Sequence, residues 1–171
     1  MSTPGSGLPL RPPAHRVAPA ARWLWALQGS VLLVLLAVVV LTVPGTVDEL
    51  PGWLNTVFDV LRWLLVPIAV VTVVIEPIWR YRVHRWEVTD EAVYTLEGWL
   101  TRTWRIVPIS RIQTVDTTRG PLQQLFGLTS ISVRTASHAG STSIEQLPAD
   151  VAERVAHELG LRANAVRDEA T

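Results

Sequence analysis

From Trp23 to Val43 the chain reads WLWALQGSVLLVLLAVVVLTV, 21 positions without a charge. A helix of that length is roughly 31 Å long and matches the hydrocarbon core of a bilayer. The segment is therefore expected to be a transmembrane helix. A cleaved signal peptide would have a shorter apolar region ending in small residues, whereas this run continues into Pro44-Gly45. A second span is expected over about 57–79. Only the 13 residues from Trp63 to Ile75 are free of charge there, so the helix must recruit its flanks. Arg62 and Glu76 then act as interfacial anchors, and Pro67 is expected to kink the helix. The intervening PGTVDELPG has two Pro-Gly pairs, expected as turns of a short hairpin connection.

Charge sets the expected orientation. Arg11, Arg16 and Arg22 precede the first span and Arg80, Arg82 and Arg85 follow the second, while Asp48, Glu49 and Asp59 lie between them. By the positive-inside rule both termini face the cytoplasm of a plasma (inner) membrane protein. Trp23, Trp25, Trp53, Trp63 and Trp79 fall near the expected interfaces, as an aromatic belt does. Residues 1–21, rich in Pro, Gly and Ser, are expected to be a disordered cytoplasmic tail. The hairpin is expected over 22–79, a cytoplasmic domain over 80–161 and a second tail over 162–171.

Several chemistries have no residues to carry them. The chain has no cysteine, and all 15 basic residues are arginine, which removes thiolate and lysine chemistry. The four histidines, His15, His84, His138 and His157, lack metal-ligand spacing, and no HExxH, GxSxG, GxGxxG or P-loop occurs. Asp90-Glu91 and Asp168-Glu169 sit in a turn and a tail and do not form a catalytic pair. No catalytic residue, metal or cofactor is expected. Residues 80–171 hold 11 arginines against 11 acids, which argues against nucleic acid as a partner.

After Tyr81 the texture changes to short strands: WEVT, AVYTLE, LTRTWRIV, IQTVDTT, SISVRT and Thr142 to Leu147. Asp90-Glu91 and Glu97-Gly98 supply turns for an antiparallel meander. In LTRTWRIV, Leu100, Arg102, Trp104 and Ile106 share one face, and Val107 breaks the pattern. Gly120-Pro121 separates two strands, with Gly120 expected where unusual dihedrals are needed. Leu122, Leu125, Phe126 and Leu128 form an apolar plug of one helical turn ended by Gly127, closing one end of a barrel. A last helix follows, with a capping box at Asp150 and Glu153 or Pro148 in its first turn. Val151, Val155 and Leu159 form its stripe, and Gly160 ends or interrupts it.

These residues resemble a known family. A T-D-E turn, the G-x-L-x-R step at Gly98 to Arg102, P-x-x-R-I-Q-x-V at Pro108 to Val115 and R-G-P-L-x-x-L-x-G-L at Arg119 to Leu128 are similar to the bacterial PH-like domain of YdbS-like membrane proteins. The resemblance covers 80 to about 160, and the two preceding spans match that family's architecture. It implies a pleckstrin-homology-like antiparallel β-barrel of two nearly orthogonal sheets closed by a C-terminal α-helix, although only six of the usual seven strands are visible. The expected function is a membrane-anchored, non-catalytic interaction module, a scaffold or subunit of a membrane assembly; the alternative is an anionic lipid-headgroup sensor. Arg111, Gln113, Arg119, Gly120 and Pro121 are candidates for binding a protein partner or a second copy. A structural role competes with that reading, in which Arg111 and Asp116 fix the loop. Arg80, Arg82, Arg85, Arg102 and Arg105 are candidates for a lipid-facing basic surface.

Overall fold

A computed structural model of the chain describes residues 11–47, 50–99, 101–136 and 140–169, with the side chains of 167–169 excepted. Residues 1–10 of the expected tail, Asp48, Glu49, Leu100 and positions 137–139 of the expected loop lie outside the described residues.

The apolar runs form two long helices, and neither is covered by the rest of the protein. Helix α1 spans Ala21–Thr46. Its last turn runs through Pro44 and Gly45, so the first Pro-Gly pair is helical and not a turn. Pro51 is the N-cap and Gly52 the first residue of α2 (Gly52–Ala69), so the second Pro-Gly pair opens a helix and is not a turn of its own either. Beyond Pro67 the path continues through a π-helical stretch, Val70–Ile75, into α3 (Glu76–Val83). A proline removes one helical hydrogen bond, and the wider π turn just after it takes up the shift. The second helix therefore reaches past the expected end at 79 and enters the module. The two long helices run antiparallel, and a Cβ added to Gly29 would lie 2.9 Å from the Thr72 carbonyl oxygen. Trp63, at 85% exposure, has no protein to cover it, as a lipid-facing side chain would not.

All six expected strands are present, and a seventh comes from an unexpected place. Strands β2 (Arg85–Val88), β3 (Ala92–Glu97) and β4 (Thr103–Pro108) form the meander. The first strand, β1 (His15–Arg16), precedes the membrane helices and pairs with β2, opposing Trp86 and Arg85. Residues 11–20 are thus not a disordered tail: Arg11 pairs with Glu87 at 2.7 Å, the Trp86 indole donates to the Arg16 carbonyl, and Val17 and Ala18 are buried. Strands β5 (Ile112–Thr118), β6 (Leu128–Thr135) and β7 (Thr142–Pro148) form a second antiparallel sheet.

The described strands do not close into a barrel. β4 and β5 are consecutive yet belong to different sheets, because a 3-10 turn, Ile109–Arg111, turns the chain between them. At the opposite edges the Ala18 N–H donates to the Gln146 carbonyl at 2.9 Å, and no strand ladder continues. Inside, Thr95 and Thr142 share a buried hydroxyl hydrogen bond at 3.0 Å that joins the sheets. The inward residue of β4 is Val107, the one that broke the sequence pattern, while Ile106 is 48% exposed.

Helix α5 spans Ala149–Glu169 and does not stop at Gly160. A Cβ at Gly160 would meet nothing, so this glycine marks neither a cap nor a close approach. Ala152, Leu159 and Ala163 are buried in one core with Trp86, Val93, Ile131 and Leu147, and Val151, Val155 and Val166 pack against it. Arg162 fixes the helix to the β2–β3 turn by donating to the Thr89 carbonyl at 2.9 Å and pairing with Asp90 at 2.9 Å. Residues 162–166 therefore pack with the domain and are not part of a free tail. The helix starts at Ala149, so Asp150 lies inside its first turn and not at its N-cap, where it pairs with Arg154 at 3.3 Å.

Candidate functional site

The five candidate lipid-facing arginines divide into two groups. Arg82, Arg85 and Arg102 line a hollow of about 340 Å³ at the foot of α3, walled by Trp79 and Trp104. Among the described residues, no acidic side chain lines it. Arg82 and Arg102 are exposed, and Arg85 reaches the Pro13 carbonyl at 3.4 Å. Trp79 is held in place because its indole N–H donates to the Trp99 carbonyl at 3.0 Å.

Arg80 and Arg105 face another hollow, about 340 Å³, together with Glu76, Glu97 and Glu145. Arg80 pairs with Glu76 at 3.6 Å and lies over the Trp25 ring at 4.6 Å; Arg105 donates to the Ser141 carbonyl at 3.3 Å. Burial raises the Glu97 carboxyl above its ordinary value, and the nearby Glu145 carboxylate raises it further. The buried His84 ring closes this junction, 5.4 Å from the Trp25 ring. His84 Nδ1 lies 2.9 Å from the Arg80 carbonyl, which can only accept, so Nδ1 carries the proton. Burial lowers the pKa of His84, while that hydrogen bond opposes the shift. These two arginines are balanced within the protein. Two others outside the candidate set, Arg16 and Arg22, lie over the Tyr81 ring at 5.9 and 5.0 Å, beside the end of α3.

The candidate partner-binding residues also separate. Arg111 and Gln113 line an open cleft of about 1000 Å³ between the edges of β4 and β5, with Ile106 on its other wall. The register slips between Ile112 and Thr114, so Gln113 is the extra residue of a bulge and points outward. Arg119, Gly120 and Pro121 stand at the far end of β5, roughly 20 Å along the strand. Asp116 pairs across the sheet with Arg134 at 3.4 Å and does not fix a loop with Arg111. Gly120 has φ −72° and ψ 166°, open to any residue, so its expected dihedral role is not seen. It caps α4 (Pro121–Leu125), and its N–H donates to Gln123 Oε1 at 2.9 Å. Gly127, at φ +66°, ends α4 as expected, and Gly98, at φ +122°, is the turn glycine whose Cβ would collide with the Thr101 carbonyl. The expected plug is divided: Leu128 is buried and Phe126 half-buried, but Leu122 and Leu125 face outward.

An apolar helical hairpin whose two ends are joined to a two-sheet module covered by a C-terminal helix defines a membrane protein of PH-like class. The chain belongs to the bacterial PH domain family, which it matches over residues 19–163, a range that takes in both apolar helices. It is 31% identical over 159 residues to the transmembrane protein YdbS of Bacillus subtilis (strain 168), covering 92% of this chain and 97% of that protein. No solved structure matches it.

Proposed function

We propose that this protein is a non-catalytic, membrane-anchored PH-like module whose Arg82, Arg85 and Arg102 hollow holds anionic lipid headgroups at the cytoplasmic face of the plasma membrane. The supporting observation is the gathering of these three arginines at the foot of a membrane helix, with tryptophan walls and no acid among the described lining residues. Both termini lie in the cytoplasm on this reading, since the arginine-rich flanks of the two helices come together at the module. Each arginine near an anionic surface is worth about 1 kcal/mol, so Arg82→Gln with Arg102→Gln should weaken anionic-lipid retention by roughly 30-fold. The test is the full chain in mild detergent, with bound phosphatidylglycerol and phosphatidylcholine counted by native mass spectrometry. Arg105→Gln, which faces glutamates, should leave retention unchanged. Equal retention by the parent and the double variant would reject the lipid reading. The open cleft between β4 and β5 favours a second reading, a protein-binding scaffold engaging Ile106, Arg111 and Gln113.

A further inference from the structure

Helix α4 holds two outward-facing leucines one turn apart, Leu122 at 38% and Leu125 at 73% exposure. Its position is set from both ends. Gln123 Nε2 donates to Ser130 Oγ at 2.8 Å and to Gln146 Oε1 at 3.2 Å. The same Gln146 accepts from the Ala18 N–H at 2.9 Å, three residues before α1 begins, and it does so with φ at +58°, a backbone shape a non-glycine residue keeps only when its surroundings require it. At the other end of α4, Phe126 and Leu128 pack with Ala21, Leu24 and Trp25 of the first turn of α1. The short helix is thus tied to the chain where the uncharged run starts, beside the exposed Trp23.

We infer that α4 is an interfacial foot: Leu122 and Leu125 enter the headgroup–acyl boundary of the leaflet that α1 enters, giving the module a third membrane contact. The occupant is lipid and not a protein because Phe126, next to Leu125, packs against Ala21, Leu24 and Trp25, where the uncharged run of α1 begins. An apolar helix face at that level sits about 5–10 Å into the boundary. The inference rests on the reading that α1 crosses the bilayer, and one experiment separates the two. The chain has no cysteine, so a single one can carry a polarity-sensitive fluorophore. Leu125→Cys, Leu35→Cys within α1 and Glu153→Cys on exposed α5 are labelled in the full chain, reconstituted in phosphatidylcholine vesicles, and quenched with lipids spin-labelled near the headgroup or deep in the tail. The Leu125 label is expected to be blue-shifted relative to Glu153 and quenched severalfold more by the shallow lipid, and the Leu35 label to respond to the deep lipid. A Leu125 label that behaves like Glu153 overturns the inference. So does one that is blue-shifted yet unquenched, which would place a second copy or another protein there. An unquenched Leu35 label would instead overturn the spanning of α1.

Discussion

Ala163 and Ala165 allow one chemical change to be placed inside and outside the core two residues apart. Ala163 is 8% exposed and packs in the core of the module, whereas Ala165 faces solvent. Ala163→Asp brings a carboxylate against apolar neighbours with no partner, and the last turns of α5 would undock before accepting it buried and charged. The cost is therefore bounded by what undocking loses. That is the burial of Ala163, the partial burial of Val166 and the hydrogen bond from Arg162 to the Thr89 carbonyl, together about 3 kcal/mol. Ala165→Asp should cost less than about 0.5 kcal/mol. Three kcal/mol raises the undocked population on the order of 100-fold. Trypsin cleavage after Arg162 reads that population directly when reclosing is faster than cutting. The full chain in mild detergent, cut with trypsin and followed by mass spectrometry, should release its C-terminal fragment roughly 100-fold faster for Ala163→Asp and at the parental rate for Ala165→Asp. Equal rates for the two variants would show that residues beyond Gly160 do not pack, and would restore the tail that the sequence suggested.

Two further changes probe the junction with the membrane. Because burial and Glu145 hold the Glu97 proton in the folded state, the stability gained from the neutral carboxyl is present at acid pH and is lost as pH rises from the ordinary carboxylate value through the raised one. Glu97→Gln should therefore melt higher than the parent at about pH 8 and alike at about pH 4, with His84 cancelling in the comparison since both proteins carry it. In the hairpin, Gly29→Ala forces a Cβ against the Thr72 carbonyl and should lower the melting temperature in detergent, while Gly45→Ala, which meets nothing, should not; equal melting would show that the helices do not approach there.

What the sequence disclosed depended on how local each signal was. The uncharged run and the alternating strands declare themselves within a window of their own length, and both were legible. Strand β1 was not, since two residues carry no periodicity and the partner of His15 is Trp86, beyond both membrane helices. Gly160 reads as a helix stop in sequence because glycine usually ends helices. What overrides it is the tertiary hold of Arg162 and Ala163 on the far side. The basic residues were found, but their grouping was not. Arg80 and Arg82 are two apart on one helix, about 200° around it, so they face different hollows. Arg102 and Arg105 separate in the same way at the start of β4. Nearness along the chain suggested a single surface, and the periods of helix and strand divide it.

The pairing of β1 with β2 also sets an order of assembly. The Arg16 carbonyl and the Trp86 indole that binds it are 70 positions apart, and the whole hairpin lies between them. At about 5–20 residues per second, the ribosome delivers the second partner roughly 4–14 s after the first. During that interval the N-terminal arm has no β2 edge to pair with, and both apolar helices must be made before it does. The four-stranded sheet is therefore completed only after the hairpin has been synthesised, and its closure makes return of the second helix to the N-terminal arm a condition of folding. A chain whose second helix failed to fold back on the first would be left with β1 unpaired and Val17 and Ala18 uncovered.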